Sequence, residues 1–296
     1  MKKQTIYALG YFDGVHLGHQ ALLKECRRLA EENSCRAGVV TFATHPDTLV
    51  IGKTPLLINT RQDREEMLLG CWVDHILELP FDENLRNQSW QDFLEDLVKQ
   101  GAAGFVCGSD FRFGAGGRGT AEKLAAFCEE KGLVYAVVPQ QLIGGIRVSS
   151  ALIRRLIEDG EMERAVEFLG HPHVLTGKVV SGQQLGRTIG IPTANVKISS
   201  GLVLPKAGVY ACRVDTPEGE FLAVTNVGTR PTVAGKSVTV EAHLLDFDGD
   251  LYDKTLRVEF WKFLREEKKF PGLEELQEEI LKNVRQTRNF FEKSEK

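Results

Sequence analysis

The chain has 296 residues, 42% of them hydrophobic and 26% charged. That length accommodates two domains, and that composition excludes a wholly disordered chain. Lysine and arginine number 37 against 41 aspartates and glutamates, a net charge of −4. Divided at Gly170, the halves hold 19 basic against 24 acidic and 18 against 17. Neither half is a basic nucleic-acid footprint. No apolar run reaches the ~20 residues that span a bilayer, and Met1–Gly10 is expected not to be a secretion signal. The six cysteines, at 26, 35, 71, 107, 128 and 212, are irregularly spaced without a Cys-x-x-Cys. They read as reduced thiols of a soluble cytoplasmic protein, with no nucleic-acid and no membrane partner.

The first half alternates strand-like and helix-like segments. Short apolar runs at Ile6–Leu9, Ala37–Phe42, His75–Leu79, Gly104–Cys107 and Leu133–Val138 read as strands. Helical patterns lie between them at Gln20–Glu32, Gln62–Gly70, Trp90–Gln100 and Ala121–Lys131. Thr60, Ser89 and Thr120 occupy N-cap positions, and Gly70, Gly101 and Gly132 follow the helices as C′ glycines. Five strands interleaved with helices predict a parallel sheet covered on both faces.

Two helices follow, near Ser150–Glu158 and Met162–Leu169, and then strands dominate. His173–Val180, Val209–Val214, Glu220–Val227, Val238–Phe247 and Thr255–Phe263 are separated by glycine, proline and aspartate turns. They predict an antiparallel barrel or sandwich, with one terminal helix over Leu273–Phe291. The boundary is expected between Asp159 and His173, giving domains 1–165 and 166–296.

Gly10-Tyr-Phe-Asp-Gly-Val-His-Leu-Gly-His-Gln20 ends the first strand and opens the first helix. Such a turn gathers backbone N–H groups at the positive end of a helix dipole, a site for phosphate. Gly10, Gly14 and Gly18 allow close approach of backbone and ligand. His16 and His19, three apart, reach one side of the first turn and can donate to a triphosphate as charge grows on it. As a metal site the pair lacks a third ligand at usable spacing. Gly114–Gly119 lacks the lysine of a P-loop and reads as a flexible lid.

These residues resemble the nucleotidylyltransferase superfamily, whose signature is His-x-Gly-His after a first strand. The fuller run is similar to the bacterial bifunctional riboflavin kinase/FMN adenylyltransferase (FAD synthetase) family. Gly108-Ser-Asp-Phe-Arg-Phe-Gly114 and Arg147-Val-Ser-Ser-Ala-Leu-Ile-Arg154 resemble two further elements of that family. The resemblance implies a Rossmann-like sheet with His16 and His19 catalytic. Gly10, Phe12, Asp13, Gly18, Asp110, Arg147, Ser150 and Arg154 would bind ATP and flavin phosphate. Ser149 or Ser150 can cap a helix there, making a second anion site. Ala151 stands where the family has Thr, one hydroxyl fewer. Thr41-Phe-Ala-Thr-His-Pro46 resembles another family element and makes His45 a candidate contact, at a strand's carboxyl end.

In the second half, Leu185-Gly-Arg-Thr-Ile-Gly-Ile-Pro-Thr-Ala-Asn195 is a polar turn. Thr193 and Asn195, two apart on extended chain, point to one side and can offer hard oxygen ligands to Mg²⁺, although the spacing alone fits an ordinary turn equally. Along Val238–Leu245 the pattern alternates, placing Glu241 with His243 on the less apolar face, where a carboxylate is by itself an ordinary solvated strand residue and can also act as general base. Gly186–Asn195 resembles one riboflavin kinase element of the same family, and Val240-Glu-Ala-His243 followed by Asp246-Phe247 resembles another. Asn226–Thr232 and Phe263–Phe270 match others, while Tyr252-Asp-Lys254 stands where Tyr-Gly-Lys is usual. The resemblance implies an antiparallel β-barrel kinase domain with Glu241 as base. Gly186, Arg187, Gly190, Thr193, Asn195, Asn226 and Arg265 would bind ATP and flavin, with Thr193 and Asn195 on the metal. The expected partners are then riboflavin, FMN, FAD and ATP, and a homo-oligomer is compatible with this reading.

Overall fold

The computed structural model describes residues 4–182, 186, 190–232 and 235–294, with side chains at all of these except 229–232, 235–237 and 294. The chain divides into two compact units, residues 1–57 with 61–150 and residues 58–60 with 151–296.

In the first unit, β1 (Thr5–Leu9), β2 (Arg36–Phe42), β3 (His75–Leu79), β4 (Ala102–Gly108) and β5 (Val134–Val138) form a parallel sheet. Its order is β3-β2-β1-β4-β5. The connections carry α1 (Leu17–Glu32), α2 (Asp47–Val50), α3 (Arg61–Gly70), α4 (Glu83–Asn87), α5 (Trp90–Lys99) and α6 (Ala121–Lys131). All of β1 is buried, as expected of a strand covered on both faces. One face packs under Leu23, Cys26, Leu29 and Ala30 of α1 and Leu68 of α3. The other packs under Phe93, Leu94 and Leu97 of α5 and Leu124 and Phe127 of α6. Each large side chain so buried contributes about 1.5–3 kcal/mol. Ser89 and Thr120 cap α5 and α6, accepting the Asp92 and Lys123 N–H at 3.0 and 3.4 Å.

From β1 the chain winds outward through β2 to β3, then returns to β4 on the opposite side. The order reverses between β1 and β4, so their carboxyl ends part there and leave a crevice. A hairpin of β6 (Leu142–Ile143) and β7 (Ile146–Arg147) follows β5, with strands too short to show as runs in the sequence. Gly114–Gly119 differs from the expected flexible lid. Phe113 and Gly119 exchange backbone hydrogen bonds, and the Ala115 N–H donates to the Gln88 carbonyl at 2.7 Å. That loop is tied down.

The second unit holds α7 (Ser150–Asp159) beyond its first residue, and α8 (Met162–Leu169). The Lys206 N–H donates to the Ile157 carbonyl at 3.2 Å, which joins α7 to this unit. Six antiparallel strands close a barrel in the order β10-β11-β12-β9-β8-β13. They are β8 (His173–Val180), β9 (Ala194–Ile198), β10 (Gly208–Thr216), β11 (Gly219–Thr232), β12 (Gly235–Leu244) and β13 (Thr255–Arg265), followed by α9 (Leu273–Ser294). Closure removes the exposed sheet edges. On β12, Val240, Ala242 and Leu244 are buried while Thr239, Glu241 and His243 stay partly exposed, the alternation the sequence predicts. β9 is the strand missing from the sequence reading. Its five residues pair with β12 and β8 and complete the ring.

Candidate active sites

The crevice of the first unit is a cleft of about 340 Å³ at the carboxyl ends of β1, β4 and β5. Phe12, Gly14 and Val15 adopt positive φ of 62°, 83° and 37°, strained for the two that are not glycine. This path buries Phe12 and leaves Gly10, His16, Gly18 and His19 lining the cleft. His16 is the N-cap of α1, its Nδ1 accepting the His19 N–H at 3.3 Å. The neutral ring therefore carries its proton on Nε2, as a donor. A Cβ on Gly18 would come within 3.1 Å of the His16 ring.

The two imidazoles stack 3.6 Å apart at 13°, and Phe12 meets His19 edge-on at 5.2 Å. Burial, with the neighbouring His16, holds His19 well below the usual imidazole range. Its buried Nδ1 has no hydrogen-bond partner among the described residues. A pair of rings stacked at a helix N-terminus is built to receive an anion.

Other elements converge on the same cleft. Ser150 Oγ donates to the Asp13 carbonyl at 2.9 Å, tying the start of α7 to the turn, with Asp13 itself buried. Arg147 forms an ion pair with Asp110, both side chains about half exposed. At that exposure the pair adds little stability, so Arg147 can exchange its partner for a phosphate. Arg154, one turn along α7 in the second unit, is half-buried and is not among the residues lining this cleft. His45 lies behind Tyr11, with ring centroids 4.5 Å apart. The sequence reading missed Tyr11, Gln140 and Gln141, which also line the cleft. The two glutamines carry no motif that could have flagged them.

In the barrel, strand register gathers what the sequence scattered. Glu241 lies opposite Asn195 of β9 on one side and Asn226 of β11 on the other. Asn226 is opposite Val209 of β10, and Val209 is opposite Arg265 of β13. Directly opposed residues project to one face, so these four polar side chains form a row. Beside it runs a groove of about 350 Å³, lined by Gly186, Thr193, Asn226, Glu241 and Arg265 and walled by Leu276, Ile280 and Asn283 of α9. Arg265 Nε donates to Asn283 Oδ1 at 3.0 Å.

The turn before β9 is shaped by its glycines. The Gly186 carbonyl accepts the Ile191 N–H at 2.8 Å, and a Cβ on Gly186 would collide with the Ile191 carbonyl. Gly190 has a φ of 70°. Arg187 lies outside the described residues. His243 Nδ1 sits 2.8 Å from the Pro192 carbonyl, so that nitrogen donates, and β12 fixes the residue before Thr193. Thr193 also lines an adjoining hollow with Asp248, Asp250 and Tyr252.

The family profile described as FAD synthetase matches residues 1–152, and that described as riboflavin kinase matches residues 169–291. A bifunctional riboflavin kinase/FMN adenylyltransferase from Listeria monocytogenes is 33% identical, over 98% of this chain and 93% of its own. The chain belongs to the bifunctional riboflavin kinase/FMN adenylyltransferase family. The Escherichia coli K12 protein of that name is 37% identical over 97% of this chain and 92% of its own. A solved structure described as a macrolide-efflux protein from Streptococcus pneumoniae is 30% identical, with TM-score 0.90 over 98% of this chain and 95% of that one. Among the described residues, no helix here is long and apolar enough to cross a membrane.

Members of such a family handle nucleotide phosphates, and the barrel residues fit a hard cation beside them. Thr193 and Asn195 bring neutral oxygens, and the Glu241 carboxylate lies across from Asn195. A Cβ on Gly182 would collide with the Asn195 amide, so the glycine keeps room for that side chain. A few oxygen ligands of this kind suit Mg²⁺, which keeps water and phosphate oxygens as its others.

Proposed function

We propose that the two sites divide two consecutive transfers between them, with the residues just described in defined roles. The chain is a transferase: ATP phosphorylates riboflavin to FMN, and FMN is then adenylylated to FAD with release of pyrophosphate. The observation that carries the assignment of roles is the stacked His16–His19 pair at the carboxyl end of β1.

In adenylyl transfer an FMN phosphate oxygen attacks the α-phosphorus of ATP, and the bond to pyrophosphate breaks. Negative charge grows on the leaving oxygens. His16, through its Nε2–H, and His19 donate to them, which lowers the barrier by stabilising charge as it develops. Gly10, Phe12, Asp13 and Gly18 shape the turn. Asp110, Arg147 and Ser150 hold and orient the phosphates of ATP and flavin, Arg147 through charge-assisted hydrogen bonds.

In the kinase step the terminal ribityl hydroxyl of riboflavin attacks the γ-phosphorus, and ADP leaves. Glu241 accepts the hydroxyl proton. Asn226 and Arg265 hold riboflavin in the groove, and Gly186 and Gly190 shape the turn that receives the nucleotide phosphates, for which Arg187 would supply charge. Thr193 and Asn195 would hold Mg²⁺, which neutralises phosphate charge when bound. Because Thr193 lines both the groove and the adjoining hollow, flavin in one and nucleotide in the other would meet at it. Six free thiols suit a reducing compartment, and we place the chain in the cytoplasm.

Incubating the purified chain with riboflavin, ATP and Mg²⁺, and resolving the flavins chromatographically, tests the assignment. FMN should appear first and FAD after it. Unchanged riboflavin together with unchanged supplied FMN would overturn it.

A further inference from the structure

Behind the adenylyl-transfer cleft lies a buried cation that the reaction does not use. Arg64 of α3 is only 2% exposed. Its guanidinium lies over the Tyr11 ring, 4.2 Å from the centroid, and its Nη2 donates to the Phe42 carbonyl at 3.0 Å. Glu78 balances its charge at 3.7 Å without a hydrogen bond, while Arg61 pairs with the other Glu78 oxygen. A guanidinium taken out of water is costly unless its surroundings hold it closely. Held so, it is a rigid planar group over the Tyr11 ring.

Tyr11 is gripped from other directions too. His45 meets its ring edge-on, and the Tyr11 carbonyl accepts Thr41 Oγ at 3.1 Å. Tyr11 lines the cleft and immediately precedes Phe12, the first of three residues at positive φ before His16. A turn with two strained non-glycine residues persists only where its surroundings over-determine it. Thr41 fixes the Tyr11 backbone, and Arg64 fixes its ring.

We propose that Arg64 is a positioning residue for adenylyl transfer, acting through Tyr11 to fix the turn that presents His16 and His19. This rests on the reading of that cleft as the adenylyl-transfer site. Losing the planar group loosens the turn, so the chemical step suffers more than ground-state binding. Turnover in FAD formation should fall, with KM for ATP and FMN moving less.

Arg64→Met keeps the stem without charge or plane, and Arg64→Lys keeps the charge alone. Each should lower kcat for FAD formation about ten- to a hundredfold, the scale of a small misplacement of reacting groups. Tyr11→Leu should reproduce the defect, and Tyr11→Phe should recover part of it by restoring the aromatic face. The double variant Arg64→Met/Tyr11→Leu should be no slower than the worse single one, because both residues act through one contact. Riboflavin phosphorylation in the same preparations reports folding of the chain. If Arg64→Met does not fold, Arg64→Lys and Tyr11→Leu carry the test. Full FAD turnover in the folded Arg64 variants, or losses that multiply in the double variant, would overturn the proposal. His16→Ala run alongside separates the two failures. If it also keeps full turnover, the reading of the cleft fails; if it alone loses turnover, only the role of Arg64 fails.

Discussion

Glu241 stands directly opposite Asn195 across the β9–β12 pair. The carboxylate proposed as the base therefore shares a strand face with a proposed Mg²⁺ ligand two residues from Thr193. Their roles separate kinetically. Glu241→Gln keeps size and polarity but removes the basic oxygen, so kinase kcat should fall about 10²–10⁴-fold, with riboflavin affinity nearly intact. Thr193→Val keeps shape and removes an oxygen ligand, so it should weaken Mg²⁺–nucleotide binding as well as turnover. Titrating nucleotide affinity and measuring turnover for each variant distinguishes the two.

His243 provides a sharper check, because it lies on the same face of β12 as Glu241. Its Nδ1 bonds to the Pro192 carbonyl at 2.8 Å, so His243→Ala frees the turn that carries Thr193. One lost hydrogen bond of about 0.5–1.5 kcal/mol corresponds to roughly a two- to thirteenfold rise in KM for ATP. Steady-state kinetics should show that rise with kcat changing less. A collapse of kcat at unchanged KM would instead mark His243 as the base.

How much of this was legible in the sequence depends on whether a feature is local. The parallel sheet, the barrel strands and the caps at Ser89 and Thr120 follow from periodicity and turn chemistry. The row Asn195–Glu241–Asn226–Arg265 does not, because only strand register brings those positions side by side. β9 was hidden because its five residues follow a glycine- and proline-bearing turn, and pairing on both sides makes the strand. Gly114–Gly119 looked mobile because glycine composition does not reveal the Gln88 carbonyl that anchors it. The packing of Tyr11 between Arg64 and His45 is likewise tertiary, though Tyr11 stands inside the motif.

The stacked imidazoles imply a proton linkage. With its pKa held well below the usual value by burial and by His16, His19 is neutral near pH 7 in the absence of ligand. A bound polyphosphate favours the charged form and raises that pKa. ATP binding at the first site should therefore take up a fraction of a proton, increasing as pH falls from 7 toward 6. Calorimetry in buffers of different ionisation enthalpy measures it, and His19→Ala should reduce the uptake. Proton release on binding would contradict the account.

His173 supplies a stability prediction in the barrel unit. It is fully buried, and burial pushes its pKa down to about 3. In the unfolded chain it titrates near 6.5. Below about pH 6.5 the unfolded state binds a proton that the folded state refuses, so stability falls as pH drops toward 3. The slope from this one group approaches about 1.4 kcal/mol per pH unit. Thermal unfolding from pH 7.5 to 4.5 should show the decline, and His173→Leu should flatten it.

The central claim is that each unit carries its own reaction. The most direct measurement supplies riboflavin to His16→Ala and FMN to Glu241→Gln, with ATP and Mg²⁺, and resolves the flavins formed. His16→Ala should make FMN at the wild-type rate while its FAD formation drops about 10²–10³-fold, the cost of one lost donor to developing charge. Glu241→Gln should convert FMN to FAD at the wild-type rate. Equal loss of both activities in either variant would contradict the division of labour.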